Sequence, residues 1–522
     1  MPPDSPVALL SLTDTTGLAD LARALETAGY RIVATSGTAR ALRSAGVSCE
    51  EVEALTGFPE LLGGRVKTLH PKVFGGILAR AGQSDAAELA RHEIALVDVV
   101  AVNLYRFEDA ATDARLTEEE VLEQVDIGGV ALLRAAAKNF ARVSVLSEPQ
   151  QYPAFIAALA RGGPTKEERR AWATRAFGVV ARYDAAIATY FAHDRERAEL
   201  PDVLELQLPV QSRLRYGENP WAKAAFYHGD VAGLPQQLGG KTLSYNNLLD
   251  VDSCLRLIAP IEEPRGFPPD AKPAGRILAA IVKHTVPCGL AAADDSSAAL
   301  SAALGADPIS AYGGIVATNA PVDLACARVL KPRFLEVVAA PSFDSDALEL
   351  LAIKKNLRLL SFEPDAPARL RADMTVRSAL GGVLAERPDP SALPDEWHVM
   401  TERKPDPSCW RDLLFAFAAV RQIKSNAAVV AHAQVTLGIC GGQTNRVAAV
   451  ELACRRSGDG ARGAVLATDG YFPFADGIEA AIAAGIAAVV APSGSIRDAE
   501  VVDAARRAGI VLVFASRRYF LH

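Results

Sequence analysis

The sequence lacks the features that mark several large classes of protein. Its 522 residues carry 55 Lys and Arg against 62 Asp and Glu, so it has no basic excess of the kind that a nucleic-acid backbone attracts. No stretch approaches the roughly 20 uncharged apolar residues that cross a bilayer, and the first residues do not resemble a secretory signal. We therefore expect no nucleic-acid partner, no membrane association and a cytoplasmic location.

Metal-binding and disulfide patterns are also missing from the sequence. The seven cysteines are scattered, odd in number and form no C-x-x-C pair, and the eight histidines form no H-E-x-x-H motif. Such spacing is typical of reduced thiols rather than of a disulfide framework. It also gives no local support for a metal site, so we expect no metal.

Short apolar runs alternate with helical patterns in the first part of the chain. This order predicts an α/β domain with a parallel sheet, because a buried parallel strand is apolar on both faces. A long helical pattern, 166–197, then gives way to Pro201 and Pro209, so we expect domains at 1–198 and 199–522. The predicted strands are 7–12, 31–35, 97–104 and 143–146, and the predicted helices are 18–28 and 39–45.

The second domain contains a weak internal repeat at an offset of about 150 residues. Residues 315–318 resemble 465–468, residues 337–342 resemble 488–493, and residues 281–284 resemble 429–432. Each short match could arise by chance, but three matches in order at nearly one offset indicate two related α/β halves. We place them at about 199–370 and 371–522, and a cleft between related halves is a natural ligand site.

Polar clusters in the first domain follow the predicted strands. Thr35-Ser36-Gly37-Thr38 stands between a strand and a helix, where free N–H groups and hydroxyls favour phosphate. A simple helix cap is the alternative. Ser11 and Thr13 end the first strand, and the carboxyl ends of strands in open α/β sheets gather ligands.

Three further clusters in this domain allow two interpretations each. The segment 63–72, Gly-Gly-Arg-Val-Lys-Thr-Leu-His-Pro-Lys, predicts a mobile basic loop that closes on an anion, or a solvated charged loop. Asn103-Leu104-Tyr105 ends a buried strand. Asp126-Ile127-Gly128-Gly129 opens a helix that contains Lys138, and it is either part of a site or a cap that permits close packing, with Lys138 as a helix C-terminal cation.

The segments 65–72, 103–107, 126–129 and 135–139 together resemble the IMP cyclohydrolase domain of the bifunctional AICAR transformylase/IMP cyclohydrolase family. The resemblance implies a methylglyoxal-synthase-like fold. It implies that the substrate phosphate is held by Ser11, Thr13, Ser36, Gly37 and Thr38. The reacting end would be lined by Arg65, Lys67, Thr68, Asn103, Tyr105, Asp126, Gly128, Gly129 and Lys138, of which Lys67, Tyr105, Asp126 and Lys138 would be catalytic.

The second domain has its own polar clusters. An apolar strand, 277–283, ends in Lys283-His284, whose side chains point to opposite sides of the pleat unless the backbone turns there. An ordinary strand-end cation beside a hydrogen-bonded histidine is the alternative. The other clusters are Arg215-Tyr216-Gly217-Glu218-Asn219, Tyr312-Gly313-Gly314, Lys424-Ser425-Asn426, Gly441-Gly442-Gln443 and Phe472-Pro473-Phe474.

These clusters resemble, in order, the AICAR transformylase domain of the same family. The resemblance implies a pair of cytidine-deaminase-like α/β halves, although the P-C-x-x-C zinc motif of the deaminases is missing after Pro287-Cys288. It implies catalysis by Lys283, His284 and Asn426. The nucleotide would be held by Arg215, Tyr216, Gly313, Glu336, Tyr471 and Arg518, and the folate by Gln443, Arg446 and Asp476.

The resemblance implies formyl transfer from 10-formyltetrahydrofolate to AICAR, giving FAICAR, and then ring closure of FAICAR to IMP by a homodimer. The sequence departs from the family pattern at Thr15, where Lys is frequent, at Ser36, where Gly is frequent, and at Val286, where some relatives have Asn. Two alternatives stay open: a transformylase with a weakened cyclohydrolase, and a non-catalytic nucleotide-binding protein on the same fold.

Overall fold

The computed structural model describes residues 5–62, 65–192, 200–204, 206, 208–229, 233–271, 277–388 and 395–522. The chain divides into two compact units, Met1–Glu205 and Leu206–His522. Gly63 and Gly64 of the predicted basic loop lie outside the described residues, as do positions 193–197 of the long helical pattern. Within the described ranges, no helix combines the length and apolar character that a bilayer crossing requires.

The first unit contains a sheet of five parallel strands, which are β1 (Val7–Ser11), β2 (Arg31–Ala34), β3 (Glu50–Glu51), β4 (Val97–Val102) and β5 (Ser144–Leu146). Their order in the sheet is β3-β2-β1-β4-β5. The order changes direction between β1 and β4, which is where ligands of open α/β sheets bind.

Ten described helices surround this sheet, and the last of them begins with a capping box between Thr165 and Glu168. One helix begins at Pro71, so the end of the predicted basic loop is helical rather than irregular. Proline suits the first helical position because its nitrogen has no N–H to satisfy. The helices are α1 (Leu18–Thr27), α2 (Ser36–Ser44), α3 (Val52–Thr56), α4 (Pro71–Leu78), α5 (Gln83–Arg91), α6 (Phe107–Thr112), α7 (Glu118–Leu122), α8 (Gly128–Lys138), α9 (Tyr152–Ala160) and α10 (Lys166–Phe191).

The second unit is built on one sheet of twelve strands, accompanied by two separate hairpins. The strands are β6 (Val210–Leu214), β7 (Ala224–Tyr227), β8 (Gln236–Gly239), β9 (Ile277–Lys283), β10 (Val286–Ala293), β11 (Gly314–Thr318), β12 (Leu335–Ala340), β13 (Arg358–Ser361), β14 (Thr375–Ala379), β15 (Gly382–Glu386), β16 (Trp397–Val399), β17 (Ala428–His432), β18 (Val435–Cys440), β19 (Val465–Thr468), β20 (Ala488–Pro492) and β21 (Val511–Ala515). The hairpins are β6-β7 and β14-β15, and the large sheet has the order β16-β21-β20-β19-β17-β18-β10-β9-β11-β12-β13-β8.

Helices cover both faces of this large sheet. In the described part of the second unit they are α11 (Tyr245–Leu257), α12 (Ser296–Ala306), α13 (Leu324–Leu330), α14 (Ser345–Ala352), α15 (Ala366–Ala372), α16 (Pro407–Val420), α17 (Arg446–Ser457), α18 (Asp476–Ala483) and α19 (Asp498–Ala508).

The two halves of the large sheet share one strand pattern. Each starts with a hairpin, β9-β10 or β17-β18, whose first strand is antiparallel to a run of three parallel strands, β11-β12-β13 or β19-β20-β21. Ala279 pairs with Thr318, and Ala428 pairs with Thr468. The register therefore aligns Lys283, rather than His284, with His432, one residue away from the match found in the sequence.

The core of the second unit is continuous on one face of the sheet and divided on the other. Alternate residues of β9 point to opposite faces, as the pleat requires. Ala280 and Val282 join a cluster with α11 and α16 that extends through both halves. Ala279 and Ile281 face a cluster whose buried residues all belong to the first half, and the second half has its own counterpart. The halves therefore share one apolar layer.

Candidate active sites

The ends of β1, β2 and β4 meet at one edge of the first sheet because these strands are parallel. The hydroxyl of Thr38 accepts a hydrogen bond from the Leu12 N–H at 2.8 Å and donates to the Leu12 carbonyl at 3.2 Å. The Asn103 side chain accepts from the N–H groups of Thr13 and Asp14 at 2.6 and 3.0 Å and donates to the Asp14 carbonyl at 2.8 Å. Asn103 and Thr38 thus hold the loop after β1.

The start of α2 lies at the same edge and offers groups that can hold an anion. The helix begins at Ser36, so the N–H groups of its first turn have no acceptor within the helix. Ser11, which ends β1, accepts a hydrogen bond from the Thr35 hydroxyl at 3.4 Å. The structure brings together Ser11, Thr13, Ser36, Gly37 and Thr38. Because the Thr38 hydroxyl is bonded to Leu12 and the Ser36 hydroxyl donates to Glu60, the groups here that can contact an anion are mainly backbone N–H groups.

Asp126 and Tyr105 form an acidic pair beside this edge. A carboxylate oxygen of Asp126 accepts a hydrogen bond from the Gly129 N–H at 2.7 Å, and the Asp126 N–H donates to the Tyr183 hydroxyl at 2.7 Å. Burial raises the pKa of Asp126, whereas hydrogen bonds from the N–H groups of Gly129 and Tyr105 act in the opposite sense. Burial, followed by the nearby Asp126 and Glu60 charges, raises the pKa of Tyr105. The pair can hold a proton at a partly buried position.

The two glycines that open α8 allow close approach of their neighbours. A Cβ atom on Gly129 would lie 2.4 Å from a carboxylate oxygen of Asp126, and one on Gly128 would lie 2.6 Å from the hydroxyl of the buried Thr68. Glycine at both positions therefore lets the turn that contains Thr68 pack against the start of α8.

Glu60 joins this site although no sequence motif singles it out. Its carboxylate accepts a hydrogen bond from the Ser36 hydroxyl at 3.0 Å and lies 3.5 Å from the Lys67 ammonium. Glu60 therefore links the start of α2 to Lys67. A lone carboxylate seven residues before a lysine has no distinctive spacing, so only the fold reveals the contact.

Two predicted residues lie apart from this group. Arg65 is 65% exposed and forms an ion pair with Glu123. Lys138 ends α8, ten residues after Gly128, so their Cα atoms are about 15 Å apart along the helix. The next residue, Asn139, bonds to the carbonyls of Ile77 and Ala79 at 2.7 and 2.9 Å. The structure therefore does not bring Lys138 to Asp126 and Tyr105, because it occupies the opposite end of the helix.

One edge of the large sheet collects most of the residues predicted for the second unit. The strand directions place the end of β9, the starts of β11, β12 and β17, and the ends of β18, β19 and β21 at the same edge. The predicted residues on or just beyond these strand ends are Lys283, His284, Gly313, Glu336, Asn426, Gln443, Tyr471 and Arg518.

The backbone turns sharply at His284. Lys283 pairs with Val286, so His284 and Thr285 form a two-residue turn with φ angles of 57° and 60°. The Lys283 ammonium donates to the Tyr312 carbonyl at 2.8 Å, and His284 is exposed. Asp250 accepts hydrogen bonds from the N–H groups of His284 and Thr285 at 3.3 and 2.5 Å. The turn removes the alternation that would separate the two side chains.

Glu336 is the second residue of β12 and lies beside the Gly313 loop. Its carboxylate accepts a hydrogen bond from Arg358, which is 8% exposed, at 2.6 Å. The Gly313 N–H donates to the Phe334 carbonyl at 2.8 Å, and Gly313 has a φ angle of 74°. Glu336 is therefore fixed in place by a buried cation and is only partly available to a ligand.

Asn426 and Gln443 are bonded to each other across the start of β17 and the end of β18. The Asn426 side-chain amide donates to the Gln443 carbonyl at 2.9 Å, and the Gln443 N–H donates to the Asn426 carbonyl at 3.3 Å. Tyr471 is 36% exposed, and the Arg518 guanidinium lies 4.8 Å from the Phe520 ring centroid. These residues line an open polar edge.

Arg446 does not face this edge as expected. It is 4% exposed, forms an ion pair with the fully buried Asp469, and donates to the Ala427 carbonyl at 2.8 Å. The guanidinium is fully engaged inside the protein, so the predicted contact between Arg446 and the folate is wrong. Asp476, the first residue of α18, is exposed and accepts from the Gly477 N–H at 2.7 Å.

Arg215 and Tyr216 follow β6 and contact each other. The Arg215 guanidinium donates to the Tyr216 hydroxyl at 2.8 Å and lies 4.6 Å from the ring centroid. Glu218 of the same loop accepts a hydrogen bond at its carbonyl from the Asn246 side chain of α11 at 3.4 Å. Across the described ranges, no group of three His, Cys, Asp or Glu side chains is arranged to hold a metal ion.

Sequence comparisons decide the family. Residues 136–456 match the family model described as the AICARFT/IMPCHase bienzyme, and residues 17–131 match an MGS-like domain. The chain belongs to the AICARFT/IMPCHase bienzyme family. Three relatives, each named bifunctional purine biosynthesis protein PurH, come from Chloroflexus aurantiacus, Synechococcus elongatus and Desulfitobacterium hafniense. They are 47%, 46% and 43% identical, over 99% of this chain and 98%, 99% and 99% of their own lengths.

The two family matches follow the structural division only in part. The MGS-like match ends at residue 131, within α8, and the bienzyme match begins five residues later in the same helix. The bienzyme match ends at residue 456, so Tyr471, Asp476 and Arg518 lie beyond it. The similarity to the PurH relatives spans 99% of the chain, so it extends beyond residue 456 and includes Tyr471 and Asp476.

Proposed function

We propose that this chain catalyses the last two steps of purine nucleotide synthesis: formyl transfer from 10-formyltetrahydrofolate to AICAR, and dehydrative closure of FAICAR to IMP. The observation that carries the proposal is similarity of 43–47% identity over nearly the full length of the PurH relatives. Two separate polar sheet edges, one on each unit, support a division into two reactions.

The second unit performs the formyl transfer. The substrate amine is conjugated with the imidazole ring and is a weak nucleophile, so the reaction needs a base, an oxyanion stabiliser and a proton for the departing folate nitrogen. His284 is the base, Lys283 polarises the formyl oxygen or supplies the proton, and Asn426 orients the formyl group. Their position at one edge supports these roles.

The remaining residues of that edge hold the two substrates. Gln443 and Asp476 contact the folate, whereas Arg446 is excluded because it is buried with Asp469. The nucleotide is held by Arg215, Tyr216, Gly313, Glu336, Tyr471 and Arg518.

The first unit performs the ring closure. The carboxamide nitrogen attacks the neighbouring formyl carbon, charge develops on the formyl oxygen, and water leaves. Lys67 stabilises that oxygen, while Asp126 or Tyr105 assists proton transfer from the amide. Most of the rate enhancement comes from positioning, since the attack is intramolecular. Lys138 is left out of this group because of its distance along α8.

We further propose a homodimer located in the cytoplasm. The hairpin β14-β15 exposes Leu380 completely and Leu384 by 64%, although a two-stranded hairpin is marginal without packing. A second copy that covers this hairpin would remove these apolar side chains from water. Sedimentation analysis of the purified protein tests the dimer.

The function is tested by mixing the purified protein with AICAR and 10-formyltetrahydrofolate and following tetrahydrofolate and IMP in one sample. Formation of both products is the expected result. Accumulation of FAICAR beside tetrahydrofolate would indicate the weakened cyclohydrolase, which is motivated by Thr15 in place of lysine and Ser36 in place of glycine. Binding of AICAR without either product would overturn the enzymatic proposal in favour of a binding protein.

A further inference from the structure

Asp250 of α11 lies beneath the turn that presents Lys283 and His284. Its two carboxylate oxygens each accept one hydrogen bond from the turn, from the N–H groups of His284 and Thr285. Both residues have positive φ angles, which residues with a Cβ atom rarely adopt. Turns of this type usually carry Asn or Gly there. The carboxylate supplies a stabilisation that the residues of the turn do not.

The same face of α11 contacts the loop that carries Arg215 and Tyr216. Asn246 stands four residues before Asp250 and donates its side-chain N–H to the Glu218 carbonyl. Residues four apart lie on one face of an α-helix. A single rigid helix face therefore sets the distance between the 215–219 loop and the turn at His284.

The second half of the sheet has an equivalent contact between a helix aspartate and a two-residue turn, but that turn carries no proposed catalytic residue. Asp412 of α16 accepts hydrogen bonds from the N–H groups of Ala433 and Gln434, both at 2.8 Å. These residues also form a two-residue turn with positive φ angles, 47° and 56°. This turn ends β17 and so lies at the opposite edge of the sheet, away from Lys283 and Asn426. Asp412 is thus a matched internal reference for Asp250.

We propose that Asp250 is a positioning residue for formyl transfer, which fixes the imidazole of His284 relative to a nucleotide held at the 215–219 loop. The inference rests on the function proposed above. Burial raises the pKa of the Asp250 carboxyl, which means that the charged carboxylate is destabilised at this position. Because it contacts backbone and not reacting atoms, its loss is expected to lower kcat rather than to raise KM, since a misplacement of about 1 Å can cost about 100-fold in rate.

The test compares four variants of the full chain: Asp250→Asn, Asp250→Glu, Asp412→Asn and Asp412→Glu. The Asp250 variants are expected to lose at least about 10-fold in kcat for formyl transfer with KM for AICAR nearly unchanged. The Asp412 variants are expected to keep kcat within about 2-fold, since that turn carries no reacting group. Equal losses for the two aspartates, or a rise in KM alone, would overturn the inference. If circular dichroism shows that Asp250→Asn does not fold, Asp250→Glu, which keeps the carboxylate, replaces it in the comparison.

A second-site change separates positioning from stability. Thr285→Gly in the Asp250→Asn background is expected to recover part of kcat, because glycine adopts a positive φ without a Cβ penalty. Recovery of the unfolding free energy without recovery of kcat would show a structural role and overturn the inference. Absence of formyl transfer in the unchanged protein, or full activity of His284→Ala, counts against the proposed function instead. An inactive His284→Ala beside an unimpaired Asp250→Asn counts against this inference alone.

Discussion

At the scale of single residues, the buried ion pair of Arg446 and Asp469 is expected to contribute strongly to stability. Both side chains are buried, so removing one leaves an uncompensated charge inside the protein. Arg446→Ala is expected to lower the free energy of unfolding of the second unit by roughly 3–5 kcal/mol. Chemical denaturation measures this. Asp476→Asn, at an exposed position, is the control and is expected to change stability by less than about 0.5 kcal/mol.

The pKa of Asp126 predicts how the rate of ring closure depends on pH. Burial raises its pKa, so this carboxyl holds its proton to a higher pH than an ordinary aspartate. A base must be deprotonated, so ring closure is expected to fall as the pH drops through that raised pKa. Asp126→Asn is expected to remove this acid limb and to lower the rate by roughly 100- to 10,000-fold. The pH–rate profile with FAICAR measures both effects.

The same substitution has the opposite effect on stability. A raised pKa means that folding disfavours the charged carboxylate, so the uncharged amide is expected to stabilise the protein above that pKa. Asp113→Asn is the control, because the Arg115 side chain lowers the pKa of this exposed aspartate. It is expected to leave ring closure unchanged. A less stable Asp126→Asn variant would contradict the burial argument.

The errors at Arg446, which was misplaced, and at Glu60, which was missed, have the same physical cause. Arg446 stands in a polar, glycine-rich segment that is typical of a binding loop, and its partner is 23 residues further along. Glu60 precedes a basic run and reaches Ser36, 24 residues earlier. Such contacts depend on how separate elements pack, so no local pattern predicts them. Lys283 and His284, which end an apolar strand, stand out in the local pattern, but that pattern also allowed an ordinary strand-end cation beside a hydrogen-bonded histidine.

At the scale of elements, apolar continuity decided what could be predicted. The strand at 277–283 has its predicted ends, and β1 and β4 end one and two residues before theirs. The hairpins β6-β7 and β14-β15 were not predicted, because most of their side chains are exposed and show no apolar alternation. The turn at His284 was only one of the possibilities that the sequence allowed, since His284-Thr285 contains neither Asn nor Gly.

A substitution at the start of α8 can test whether the close approach of Gly129 to the Asp126 carboxylate is needed for ring closure. Gly129→Ala would place a Cβ atom against the Asp126 carboxylate and is expected to lower ring closure at least about 10-fold by displacing it. Gly178→Ala in α10 is the matched control, because the nearest atom to its Cβ would be 3.8 Å away. This control is expected to keep full activity and to gain up to about 1 kcal/mol in stability. FAICAR cyclisation and thermal unfolding measure the two effects.

At the scale of the whole molecule, the two proposed reactions belong to separate units. Lys67→Ala is expected to accumulate FAICAR, and His284→Ala is expected to cyclise added FAICAR without making it. A mixture of the two variants should therefore convert AICAR to IMP, although neither does so alone. Chromatography of the nucleotide products measures this. Failure of the mixture while each variant keeps its remaining activity would show that the intermediate does not pass between molecules.

The apolar layer shared by the two halves of the large sheet has a consequence for proteolysis. The halves are joined by the pairing of β10 with β18 and by one core that neither half can bury alone. A single cut between β15 and β16 would therefore leave two fragments that travel as one particle in gel filtration and separate only in denaturant. In this respect the covalent link between the halves matters less than the sheet that crosses them.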